Sequence, residues 1–132
     1  MVSPTISGRR LSGGFTLVEL MIVMAIIALL LTIALPRYFD GLQRAKEAAL
    51  RQDLVILRDN VDKYFSDKGI RPSVLEDLVS ARYLHSIPVD PVTESAETWL
   101  ITLSPDPQLP GIIDVHSGAE GNARDGSPFL SW

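Results

Sequence analysis

GFTLVELMIVMAIIALLLTIALP, residues 14–36, is the stretch that decides the architecture. Of the 21 residues from 15 to 35, only Thr16, Glu19 and Thr32 are polar. A helix of that length rises roughly 31 Å, about the hydrocarbon thickness of a bilayer. The segment before it, MVSPTISGRRLSGG, carries Arg9 and Arg10 and no acid, a pattern that keeps the amino terminus on the cytoplasmic side. The apolar run is too long for an ordinary secretory signal, and Ala34-Leu35-Pro36 is a poor cleavage site. Read blandly, it is an uncleaved signal anchor. Glu19 speaks against that reading. A carboxylate at bilayer depth costs about 2.5–3.5 kcal/mol or more, and no Lys, Arg or His lies between Arg10 and Arg37. The nearest cation within reach would be a new amino terminus, made by cutting just before Phe15.

Working outward, 97 residues follow Leu35. That is enough for a long helix and a small sheet, and too little for most catalytic domains. The net charge is −4 and the pI about 5.0, so the chain lacks the basic surface of a dedicated nucleic-acid binder. It has no cysteine, which excludes disulfides, thiolate zinc sites and a cysteine nucleophile. Its two histidines, His85 and His116, exclude a His-rich metal site, and no motif sets a nucleophile beside either. No phosphate loop, Ser-His-Asp order or paired-acid signature is present, so the expectation is a protein that is not an enzyme and has no catalytic residue.

Beyond Pro36, the spacing of Leu50, Leu54, Leu57, Val61 and Tyr64 (4, 3, 4, 3) predicts an amphipathic helix, with Leu42, Ala45 and Ala49 extending the stripe backward. Charged residues fill the other face, and Gly69 ends the helix. Unbroken from 15 to 67, the helix would be about 80 Å long. Pro36 removes a backbone donor and predicts a kink there, with Gly41 a second weak point. Ser73 and Glu76 have capping-box spacing for a short helix burying Val74, Leu75, Leu78, Val79, Tyr83 and Leu84. Residues 87–91 read as a rigid connector, and 98–103 and 112–116 as two strands. The turn-rich end, 117–132, is expected to fold Trp132 back onto the body, with Trp99 in the core.

Gly14 before Phe15, then Thr16-Leu17, Glu19 and the apolar run, resembles the type IV prepilin (class III) signal. The resemblance implies an α+β, type IV pilin-like fold, in which a long N-terminal helix packs on a small C-terminal antiparallel sheet. It divides the chain into a leader (1–14), a transmembrane or filament-core helix (15–35), its amphipathic continuation (36–68) and a small globular region (69–132). It implies that a prepilin peptidase cuts between Gly14 and Phe15, that Phe15 is N-methylated and that Glu19 serves assembly. It also implies a helix break at Pro36 that can melt within a filament.

Further on, DKYFSDKGIRPSVLEDLV (62–79), YLHSIPVDP (83–91), DVHSGAEG (114–121) and Trp132 are similar to the major pseudopilin of type II secretion. That likeness implies a homopolymer in a periplasmic fibre, with minor pseudopilins and an inner-membrane assembly platform as partners and no nucleic acid. It places the chain in a bacterial inner membrane as a single-pass protein with its C-terminal region in the periplasm. The alternative is a type IV pilin or minor pilin of a surface fibre, used for adhesion, motility or DNA uptake; many of those carry a disulfide, and this chain has no Cys.

Two departures stand out. Val92-Thr93 follows Pro91 where the family usually has Trp-Gly. The family's last loop binds calcium; here it is short, with Glu120 where Asp is usual. Glu120 and Asp125 are the candidate ligands, and Asp114, Ser117, Asn122 and Ser127 offer further oxygens. Arg124 sits among them and the spacing is not that of an EF-hand, so a solvated turn is the other reading.

Overall fold

Thr16 starts the first helix. Its carbonyl accepts from Leu20 N–H (3.1 Å) and its hydroxyl accepts from Glu19 N–H (3.1 Å), which satisfies donors that a helix start otherwise leaves unpaired. The computed structural model describes Met1 and residues 13–132; most of the leader, Arg9 and Arg10 included, lies outside the described residues. Helix α1 runs Leu17–Lys68. Two compact units divide the chain, Met1–Phe39 and Asp40–Trp132.

In the first unit every described residue from 13 to 39 is exposed, apolar ones included. Pro36 lies inside α1, which the structure carries through without interruption. The expected break is therefore not a gap in the helix. Pro36 still has no N–H for the carbonyl of Thr32, while the Thr32 hydroxyl donates to the carbonyl of Ala28 (2.8 Å).

In the second unit α1 buries Leu50, Leu54, Leu57, Val61 and Tyr64, the stripe expected from their spacing. Leu42, Ala45 and Ala49 are exposed instead; there the half-buried Lys46 and Glu47 carry the contacts, Lys46 pairing with Glu94 (3.1 Å). Gly69 ends the helix at φ 70°, its N–H on the carbonyl of Phe65 (2.8 Å), a left-handed cap that suits glycine.

Helix α2 is Glu76–Ser80. The capping box expected from Ser73 and Glu76 does not form. Asp77 takes the role, its Oδ2 accepting from the N–H of Ser73 (2.7 Å) and of Val74 (3.1 Å). Leu75 and Leu78 are buried, Val79, Tyr83 and Leu84 half-buried, and Val74 is exposed.

Strands β1 (Trp99–Leu103) and β2 (Ile112–Ser117) form a two-stranded antiparallel sheet in which Trp99 faces Ser117 and Ile101 faces Val115, with an irregularity at Thr102/Leu103. Trp99, Ile112 and Val115 join Leu75, Leu78, Ala119, Ala123 and Phe129 in one core with the α1 stripe. Gly118 lets the chain pass close to β1: a Cβ there would stand 2.2 Å from the carbonyl oxygen of Thr98. A short 3-10 turn, Phe129–Ser131, closes the chain.

Candidate functional site

The sequence singled out two regions, one in each unit. At the amino-terminal end, Gly14 and Phe15 precede the helix and are exposed, Phe15 by 84%. The Gly14-Phe15 bond is therefore unpacked and accessible. Glu19 sits exposed in the first turn of α1, where the helix dipole favours negative charge. Thr16 and Glu19 have the T-x-x-E spacing of a helix start, a signal legible in the sequence that the reading of Glu19 as an assembly acid passed over. Among the described residues, α1 is the one helix long and apolar enough to cross a membrane.

At the other end, the loop of residues 119–132 is tied to α1. Glu47 Oε1 accepts from Arg124 N–H (3.0 Å) and from Gln43 Nε2 (3.2 Å). Arg51 donates to Asp125 Oδ2 (3.2 Å) and lies 4.0 Å from the centre of the Trp132 ring, a cation–π placement. Asp125 Oδ1 accepts from the N–H (2.9 Å) and hydroxyl of Ser127. These Ser127 bonds, helped by Arg51, hold the Asp125 carboxyl below the usual carboxylate range. Trp132 Nε1 donates to Ser127 Oγ (2.8 Å) and its ring meets Phe129 edge-on, so the last residue does fold back.

This geometry bears on calcium. A hard cation wants six to eight oxygens, yet both oxygens of Asp125 are engaged and a guanidinium already supplies the positive charge. Neither Glu120 nor Asp125 belongs to a group of three or more His, Asp or Glu residues able to hold a metal, among the described residues. The residues present fit an arginine-bridged loop, not a calcium cage.

Three contributors escaped the sequence reading. Arg58 donates to Asp114 Oδ1 (2.7 Å) and to the carbonyl of Val115 (2.9 Å from Nη2), covering the edge of β2 that faces α1. His116 bridges Asp114 Oδ2 (3.2 Å) and the carbonyl of Trp132 (2.7 Å). Asp90 is fully buried. Its Oδ1 accepts from Val92 and Thr93 N–H (2.8 and 3.2 Å) and its Oδ2 from the Ser117 hydroxyl, so it pins the 90–95 turn to β2. The Asp-Pro pair was the available signal, since it favours turn initiation. Burial, and secondarily the Asp90 charge, raises the pKa of Asp53.

Comparison with known proteins agrees with the amino-terminal geometry. Residues 9–35 match the family model described as the prokaryotic N-terminal methylation motif. The chain is 32% identical over 129 residues to fimbrial protein EcpC of Eikenella corrodens, covering 94% of this chain and 82% of that one. It is 30% identical over 144 residues to the type II secretion system core protein G of Pseudomonas aeruginosa, covering 94% and 97%. A shorter match, 42% over 55 residues, joins it to the type IV major pilin protein PilA of Myxococcus xanthus, covering 42% and 25%. No solved structure matches the chain.

Proposed function

The chain belongs to the type IV prepilin-like family, and from that premise we propose that it is a structural pseudopilin, a subunit that polymerises into a periplasmic fibre driving protein export by type II secretion. The observation that carries this reading is the segment 15–35, wholly apolar but for Thr16, Glu19 and Thr32, exposed throughout and beginning at an accessible Gly14-Phe15 bond. Such a surface needs a bilayer before assembly and other copies of itself afterwards. The near full-length likeness to a core protein G supports the secretion reading, and the tail stretches 83–91 and 114–121 with the absence of cysteine favour it over a surface pilin.

In this reading the prepilin peptidase cuts after Gly14 on the cytoplasmic face and Phe15 becomes the N-methylated terminus. The subunit waits in the inner membrane with residues beyond the span in the periplasm, and the assembly platform moves it into the fibre alongside minor pseudopilins. Inside the fibre, packing of apolar helices gives little directional information. Glu19 is the one acid of that core, and the amine on Phe15 of the next subunit is the cation that can reach it. Such a pair favours one register even where its net stabilisation is small. Pro36, which leaves a backbone carbonyl unpaired, is the place where the helix would stretch.

The fimbrial relative favours a second reading, a pilin or minor pilin of a surface fibre. Deleting the gene separates the two. Secreted proteins should accumulate in the periplasm while surface fibres persist. Loss of surface fibres with secretion intact would hand the chain to the pilin reading.

A further inference from the structure

The second unit leaves two apolar surfaces uncovered. One is β1, where Leu100, Ile101 and Leu103 are 50%, 41% and 57% exposed. This strand pairs with β2 alone among the described residues, so its outer edge presents unpaired N–H and C=O groups. Natural edge strands are usually blunted by Lys, Pro or a bulge; Trp99–Leu103 has no charge and no proline, and its one irregularity, at Thr102/Leu103, lies at its far end and leaves Trp99–Ile101 regular. Beside it, Ile101 shares a groove with Val74, Glu76 and Glu97, so the rim is acidic. The other surface is a cleft of about 640 Å3 in which Val55 and Trp132 meet Arg51, Arg58 and His116. Arg51 and Arg58 are bound to Asp125 and Asp114, yet each guanidinium has five donors and Arg51 is largely exposed.

We propose that the cleft beside Val55 receives the β1 edge of the next copy of this chain, which joins subunit heads through two unlike faces. The inference rests on the fibre-subunit reading. Charge decides between this pairing and its rival. Two β1 edges laid together would set Glu76 and Glu97 against their own copies; the cleft, where Asp114 and Asp125 balance Arg58 and Arg51, brings no such repulsion and leaves the outer guanidinium donors of Arg51 to meet the acids. Unlike faces also give a head-to-tail contact, and a head-to-tail contact that does not close makes a filament. A like-with-like contact stops at a dimer.

The chain has no native cysteine, so introduced thiols report alone. Full-length Val55→Cys, Ile101→Cys and the double variant are each made as the sole copy in cells with the peptidase, and fibres released by opening the outer membrane are mildly oxidised. The double variant should give a ladder of disulfide-linked species, the two single variants mixed should give dimers, and each single variant by itself should give none. Adding Glu97→Lys should lower the ladder yield severalfold. Ser131→Cys, also in the cleft, with Leu103→Cys replaces the first pair if that pair does not assemble, with the same expectations. Fibres without a ladder overturn this inference and leave the fibre reading standing, as does dimerisation of Ile101→Cys by itself. A ladder unmoved by Glu97→Lys overturns the charge match. Absence of fibres from the unaltered chain overturns both readings together.

Discussion

One helix serves two solvents. From Leu17 to Leu35, α1 is apolar but for Glu19 and Thr32 and exposed on every side; beyond Asp40 it shows one buried stripe and a charged back. The second half satisfies its apolar residues within its own unit, because Leu50, Leu54, Leu57, Val61 and Tyr64 find Ile112, Val115 and Phe129. The first half has nothing of the kind within its own unit. Burying a large apolar side chain is worth roughly 1.5–3 kcal/mol, so that half must be satisfied from outside, by lipid or by copies of itself. The difference teaches where function resides: a helix half complete within its own unit is scaffold, and one left uncovered is the working surface.

The comparison can be broken most severely by matched truncations in the full-length chain. Leu57 is fully buried, so Leu57→Ala should cost about 2–5 kcal/mol. Ile27→Ala removes a similar side chain from the exposed half and should leave the melting temperature of the second unit unchanged in detergent. Equal shifts would erase the distinction. Next in size is Arg58→Ala, which removes one partner of Asp114 and uncovers the Val115 carbonyl; the pair is more than a third exposed, so the loss should be about 0.5–1.5 kcal/mol in denaturant titration, and an unchanged midpoint would mean that Arg58 does not hold the sheet edge.

A smaller effect runs through pH. The fold raises the Asp53 pKa by burial and by the charge of Asp90, so it disfavours the ionised form. The folded state then holds its proton more tightly than the unfolded one, and stability falls as pH rises from the ordinary carboxylate range through the raised value. Asp53→Asn should raise the melting temperature at pH 7 and leave it nearly unchanged at pH 3. A lower melting temperature at pH 7 would mean that the carboxylate is favourable there. The smallest expected effect is none: millimolar calcium should not shift melting, because Arg51 already neutralises Asp125. A clear rise, by mass action, would restore Glu120 and Asp125 as ligands.

Much of the comparison was legible from residue spacing alone. The uninterrupted apolar run, the 4, 3, 4, 3 stripe and the two short strands are local patterns, and local patterns survive folding. What escaped depends on distant partners. Leu42, Ala45 and Ala49 continue the stripe in sequence but have no body to pack against, so they are exposed. Arg51 and Arg58 read as solvated face until Asp125 and Asp114, dozens of residues away, fold over them. Asp90 read as part of a rigid connector, and only the Ser117 hydroxyl shows why a carboxylate is tolerated in the interior. The calcium expectation came from likeness to the family; whether a loop holds a metal depends on which neighbours arrive, and here an arginine arrives.

In the fibre reading, the uncovered half of α1 becomes a core whose register is set by Glu19. Its most direct test is Glu19→Gln, made as the sole copy in cells with the peptidase, with intact mass and electron microscopy on the same preparation. The mass should show normal processing, a chain of 118 residues beginning at methylated Phe15, with net charge changed from −4 in the precursor to −5 by the loss of Arg9, Arg10 and the Glu19 carboxylate. The micrographs should show no fibres where the wild type forms them. Fibres of normal number and regular spacing from the processed Glu19→Gln chain would contradict the account.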